Sequence, residues 1–175
     1  FEGDPMWQEP GSTAWGLEYL FGCVDPVAGG APAFTPFWAH DRRQERQALI
    51  DFLEYVRVRQ QQWPDMHIYH YAAYEKTALL RLAAMHGVGE QQIDDLLRAN
   101  VLVDLYPIVK ASLRVSQPSY SLKKLEPLYM GDDLRTGGVT TAGDSVIEYA
   151  KYCDAAAAGD TGEAGRLLEE IADYN

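Results

Sequence analysis

The spacing of hydrophobic positions changes several times along the chain, and each change marks an element. From Trp15 to Val24 apolar residues recur at every second position, Leu17, Tyr19, Phe21 and Cys23, which is the period of a strand. Asp25-Pro26 and Gly29-Gly30 interrupt it, and an aromatic stretch from Ala33 to Ala39 follows, so an antiparallel hairpin is expected. Pro36 in the second arm favours an edge position, since it has no N–H to donate. Ahead of the hairpin, Phe1 to Pro5 suits the tail of a further strand, with Gly3 and Pro5 marking its exit.

The period then lengthens. Asp41 opens a helix with Leu49, Phe52, Leu53 and Val56 as its apolar stripe and Arg42, Arg43, Arg46, Arg57 and Arg59 near or off that face; Trp63-Pro64 ends it. Met66 to Lys76 reads as a short apolar strand feeding a helix across two alanines, with Glu75 in the first helical turn. That helix carries Ala78, Leu82 and Met85 inward and closes at Gly87, and another carries Ile93, Leu96 and Leu97. Val101 to Leu105 has the run of a buried strand with Asp104 at its end. Ser119 to Leu125 reads as a serine-capped helix start, with Glu126 to Arg135 as its exit. Ser145 with Glu148 sets a capping box before Val146, Tyr149, Ala150 and Cys153, and Asp160 with Glu163 sets another before Leu167, Leu168 and Ile171.

Hairpin strands first, then strands separated by helices, predict an α/β fold: a mixed sheet with helices packed on it. No internal repeat or domain boundary interrupts the 175 residues, which are expected to form one domain. The helical pattern of Ile171 to Asn175 has no stop signal and Phe1 is no initiator, so the chain is expected to belong to a longer protein.

Composition narrows the function. With 47% hydrophobic and 23% charged residues the chain is ordinary for a globular protein; no stretch reaches the ~18 apolar residues that cross a bilayer, and a cytoplasmic location is expected. Cys23 and Cys153 have no metal-knuckle spacing. A net charge of -11 argues against tight nonspecific binding to nucleic acid, but a carboxylate site that loads cations is acidic in its own right.

Acids at element ends are the candidate chemistry: Glu2, Asp4, Glu75 and Asp104. Phosphodiester hydrolysis by two metals needs carboxylates from separate segments converging on cations ~3.5 to 4 Å apart. Each acid also has a plainer reading: Glu2 is a solvated terminal acid, Glu75 suits the helix dipole, Asp4 a turn before Pro5, Asp104 a cap for the next turn of the chain. His67 and His70 fall on opposite faces of a strand and cannot share a zinc ion. Lys110, Arg114, Lys123 and Lys124 suit either a phosphate backbone or a solvated face, and Tyr120 could stack on a base.

Seven stretches together carry a resemblance: Phe-Glu-Gly-Asp-Pro at 1 to 5, Gly-Leu-Glu-Tyr-Leu-Phe-Gly at 16 to 22, Phe-Trp-Ala-His at 37 to 40, His-Ile-Tyr-His-Tyr-Ala-Ala-Tyr-Glu at 67 to 75, Val-Asp-Leu-Tyr at 103 to 106, Ser-Tyr-Ser-Leu-Lys-Lys-Leu-Glu at 119 to 126, and the closing Tyr-Asn. In this order the chain resembles the RNase H-like (YprB-type, DEDDy exonuclease-like) domain of predicted RecB-family nucleases and helicases. The resemblance implies a mixed five-stranded sheet, three antiparallel strands followed by two parallel ones. It further implies a metal-dependent 3′–5′ exonuclease acting on single-stranded ends of DNA or RNA, with two Mg²⁺ or Mn²⁺ ions. RecB-like nuclease and helicase domains are the implied partners in the same polypeptide.

Carried over by position, Glu2 and Glu75 would hold cations and Tyr174 would orient the attacking water; Asp4 and Asp104 are accessory metal candidates, and Tyr71, His70, Tyr120 and Lys123 candidates for contact with nucleic acid. Glu75 stands where the family has Asp and Tyr71 where it has Asn. The remaining aspartates would fall just before Phe1 and three residues after Asn175, so the isolated stretch is expected to be inactive. The alternative is an inactive nucleic-acid-binding or scaffolding domain.

Overall fold

A computed structural model describes residues 1–26, 30–130 and 141–174. The chain divides into two compact units, Phe1–Ala48 with Arg135–Asn175, and Leu49–Leu134. Among the described residues there are five strands and seven helices. The expected turn around Gly29 and the stretch 131–135 of the expected helix exit lie outside the described residues, as does Asn175.

The first unit is built on an antiparallel sheet in the order β1 (Glu2–Gln8), β2 (Trp15–Asp25), β3 (Ala33–Trp38). The hairpin is as expected, with Leu20 opposite Trp38 and Asp25 opposite Ala33, and Pro36 sits on an edge strand. β1 corrects the expected exit at Pro5, because it continues to Gln8. Shifts of register between Glu2 and Gly3 and between Asp4 and Gln8 let this second edge strand absorb a residue that cannot donate. β2 corrects the expectation of one buried face: Leu17, Tyr19 and Phe21 are buried, and so are Glu18 and Leu20 between them.

α6 (Ala142–Ala158) and α7 (Thr161–Tyr174) complete this unit. Tyr149 and Ile171 join Leu17, Tyr19 and Leu20 in its core, flanked by Trp7, Phe34, Trp38, Tyr152 and Cys153. The cap of α6 is Thr141, whose hydroxyl accepts from the Asp144 N–H at 3.1 Å, rather than Ser145. Ser145 lies inside the helix, buried, with Oγ 2.7 Å from the Tyr19 hydroxyl, and Ala150 is exposed rather than inward. At α7 the expected cap holds, with the Glu163 N–H donating to Asp160 Oδ1 at 3.0 Å.

α1 (Arg42–Gln62) starts as expected: Asp41 accepts from the Gln44 N–H at 2.7 Å, and the Gln44 side chain accepts in turn from the His40 N–H at 3.0 Å. Its residues from Leu49 onward belong to the second unit, where Leu49, Phe52, Leu53 and Val56 are all buried as the stripe required. The rest of that unit runs β4 (Ile68–His70), α2 (Tyr74–His86), α3 (Glu90–Arg98), β5 (Leu102–Asp104), α4 (Leu105–Ser112) and α5 (Leu122–Tyr129). β4 and β5 pair in parallel, the arrangement that needs a helical crossover between them.

Gly87 ends α2 in the left-handed conformation, φ 61°, as expected of a C-terminal cap. The inward face of α2 is Ala78, Leu79, Leu82 and Ala83, whereas Met85, expected inward, is 43% exposed. One helix, α4, was not expected at all, since the expected strand runs through Leu105, and another, α5, extends further than expected. α4 holds Pro107 at its third position, where a helix has no use for the missing N–H, and α5 passes through Glu126 and Pro127 where an exit was expected.

Candidate functional site

Within the second unit the candidate residues gather where the parallel pair ends. Ile68 pairs with Leu102, Tyr69 with Val103 and His70 with Asp104, so His70 and Asp104 finish side by side. Three residues, Tyr71 to Ala73, then carry the chain from β4 into α2. The middle one, Ala72, has φ +69°, in the left-handed region that alanine avoids at a cost of about 1–2 kcal/mol. Its backbone is held at both polar groups. The N–H donates to Asp104 Oδ1 at 2.8 Å, and the carbonyl lies 2.7 Å from His70 Nδ1.

These contacts fix two assignments. A carbonyl can only accept, so His70 carries a proton on Nδ1 and, when neutral, leaves Nε2 as the acceptor. Asp104 Oδ1 also accepts from the Tyr106 N–H at 2.9 Å, so one oxygen starts α4 and closes the β4–α2 turn. Glu75 Oε2 lies 3.6 Å from His70 Nδ1, too far for a hydrogen bond and near enough for attraction when the ring is protonated. The Glu75 side chain is 24% exposed, against 6% for His70. α2 has no side-chain cap at Ala73, so the Glu75 carboxylate in its first turn faces the positive end of the helix dipole.

The two candidate tyrosines are also brought together. The Tyr71 hydroxyl donates to the Tyr120 carbonyl in a very short bond, and the Tyr120 hydroxyl donates to the Leu113 carbonyl at 2.9 Å. The Tyr71 ring meets Tyr106 edge-on, centroids 5.6 Å apart. Partial burial first, and then the neighbouring Tyr106, Asp104 and Tyr129, hold the Tyr71 phenol above its usual range. Lys110 Nζ sits 5.8 Å over the Tyr106 ring, while Lys123 is exposed on α5. His67 is exposed beside Tyr69 and His70 turns inward, the opposite faces their spacing required.

The remaining candidates belong to the first unit. Glu2 begins β1 opposite Leu20, and Asp4 lies inside the strand opposite Leu17, where its Oδ1 accepts from the Met6 N–H at 2.8 Å, a local backbone bond and not the turn expected before Pro5. Burial pushes the Tyr19 hydroxyl far above its usual range; the Ser145 bond opposes this, and the charges of Glu2, Asp4 and Glu18 add to it. Tyr174 is half-buried at the end of α7, three residues past the fully buried Ile171. Among the described residues, no three His, Cys, Asp or Glu side chains come together as a metal centre needs, so the donors present do not by themselves form a cation cage.

Ala72 and Tyr106 were not anticipated. Pro107 was the available signal, since a proline two residues past an Asp-Leu pair marks a first helical turn with Asp104 as its cap.

Neither the curated proteins nor the solved structures compared with the chain gave a match. A family model does match, over residues 11–175, a span that contains every described element except β1. By that match the chain belongs to the RNase H superfamily, a membership that points to a hydrolase cleaving nucleic acids.

Proposed function

We propose that this chain is a 3′–5′ exonuclease domain of the DEDD type, shortening single-stranded nucleic-acid ends by a two-metal mechanism. Superfamily membership supports the nuclease part of this reading. The observation that carries it further is Glu75, whose partly exposed side chain stands in the first turn of α2, just past the carboxyl end of a parallel strand pair and the turn that Asp104 and His70 hold. Open α/β sheets place their chemistry at that end. Glu2 and Tyr174 keep the roles that the resemblance gives them.

RNase H-like nucleases generally use divalent cations, and Mg²⁺ or Mn²⁺ suits a carboxylate donor set. Glu75 is the residue of the second unit we assign to hold one. The Tyr71 and Tyr120 hydroxyls give their protons to backbone carbonyls and have none left for a phosphate, so we assign contact with nucleic acid from these residues to their ring faces.

The test is the chain within its natural polypeptide, with any RecB-like nuclease or helicase neighbour inactivated, given a 5′-labelled single-stranded oligonucleotide and Mn²⁺. A ladder of products shortened from the 3′ end is expected, and Glu75→Gln should remove it while the far-ultraviolet spectrum is unchanged. Binding without cleavage, or cleavage indifferent to Glu75→Gln, would overturn the assignment.

A further inference from the structure

We infer that Asp104 is a positioning residue that sets the β4–α2 turn, and through it the His70 tautomer and the start of the helix bearing Glu75. This rests on the reading of Glu75 as the functional acid. The geometry is a relay through one residue. Asp104 Oδ1 accepts the Ala72 N–H at 2.8 Å, Ala72 is thereby held at φ +69°, and its carbonyl then faces His70 Nδ1 at 2.7 Å. Three residues later comes Glu75, whose Oε2 is 3.6 Å from the same Nδ1. Alanine has no preference of its own for this conformation, so an outside group must impose it. The Asp104 oxygen is that group. It is fixed in turn by a second bond, from the Tyr106 N–H at 2.9 Å, which ties the turn to the first turn of α4.

The role needs an accepting oxygen at that reach and does not need a charge. Asparagine supplies the same oxygen on the same arm. Serine still caps a helix, but its hydroxyl is one bond shorter and draws back from Ala72. The two substitutions therefore separate the start of α4, which both preserve, from the turn, which asparagine alone preserves.

The experiment has two readouts. In the chain itself, ¹⁵N spectra of the neutral His70 ring should show Nδ1 protonated in the wild type and in Asp104→Asn, and a shift toward the Nε2-protonated form in Asp104→Ser. Within the natural polypeptide, Asp104→Ser should slow cleavage of the labelled oligonucleotide by roughly 10- to 100-fold, the scale of a misplaced reacting group, and Asp104→Asn should restore most of that loss. An unchanged tautomer in Asp104→Ser would overturn the inference. So would an Asp104→Asn rate as low as that of Asp104→Ser, which would show that the charge itself is needed. If the wild type does not cleave at all, the exonuclease reading fails, and the tautomer readout still decides the part played by Asp104.

Discussion

Tyr19 and Tyr149 lie face to face, their ring centroids 3.9 Å apart and their planes 7° from parallel, and so fasten α6 onto β2 in the core of the first unit. The Tyr149 hydroxyl does separate work: it donates to the Ala39 carbonyl at 3.1 Å and lies 3.2 Å from His40 Nδ1. Ring and hydroxyl can be told apart. Tyr149→Phe keeps the stack and strands the two partners, which should cost about 1–3 kcal/mol. Tyr149→Ala also opens a cavity and should cost about 3–5 kcal/mol. Urea unfolding of both variants checks the difference; equal losses would mean that the stack contributes nothing beyond its hydroxyl.

Glu45 is wholly buried, and both of its oxygens are engaged: Oε1 accepts from the Glu18 N–H of β2 at 2.7 Å, and Oε2 meets Arg42 Nη1 at 2.8 Å. Arg42 in turn covers the Trp7 ring, 5.1 Å from its centroid. Removing one member of a buried pair leaves the other charge uncompensated. Glu45→Ala should therefore cost about 3–5 kcal/mol, measured by urea unfolding at neutral pH. Glu45→Gln still offers an oxygen to Glu18 and should cost less. If the two substitutions cost the same, the ion pair and not the backbone bond is what the fold depends on.

Burial holds His40 below the ordinary imidazole range, against the opposing pull of Asp41. That direction sets the sign of the pH effect. The unfolded chain, with a histidine near its ordinary value of about 6.5, takes up the proton first, so this contribution to stability is complete above that value and is lost as the pH falls through it. His40→Gln removes the group. The stability gap between wild type and His40→Gln should be wider at pH 7.5 than at pH 5.5, read from urea midpoints; the same gap at both would show that His40 does not titrate on unfolding.

Elements specified by their own residues were legible in the sequence, and elements specified across the chain were not. The α1 stripe, the Gly87 cap and the β2–β3 hairpin arise from local period and turn chemistry, and they stand as expected. Ser145 had the local signature of a cap, but its hydroxyl meets Tyr19, 126 residues away, and Thr141 caps instead. Glu18 occupied the outward phase of an alternating strand, yet it is buried, and its N–H meets a carboxylate 27 residues on, in the first turn of α1. The candidate site divides in the same way. Glu75 was visible as an acid in a first helical turn, while the bond between Asp104 and Ala72 joins residues 32 apart and leaves no periodic trace.

The left-handed Ala72 leads to the last prediction. An alanine at φ +69° strains its Cβ against the following carbonyl, and glycine does not. Glycine also gives the unfolded chain more freedom, which offsets part of the relief. The balance favours the folded state, so Ala72→Gly should raise stability by about 0.5–1 kcal/mol in urea unfolding. The hydrogen bonds to Asp104 and His70 use only Ala72 backbone atoms, so both should survive the change. A glycine at this position would then bring the turn to the same geometry with less strain, and the His70 tautomer should remain Nδ1-protonated. Destabilisation by Ala72→Gly would mean that the methyl group packs to more effect than its strained backbone costs.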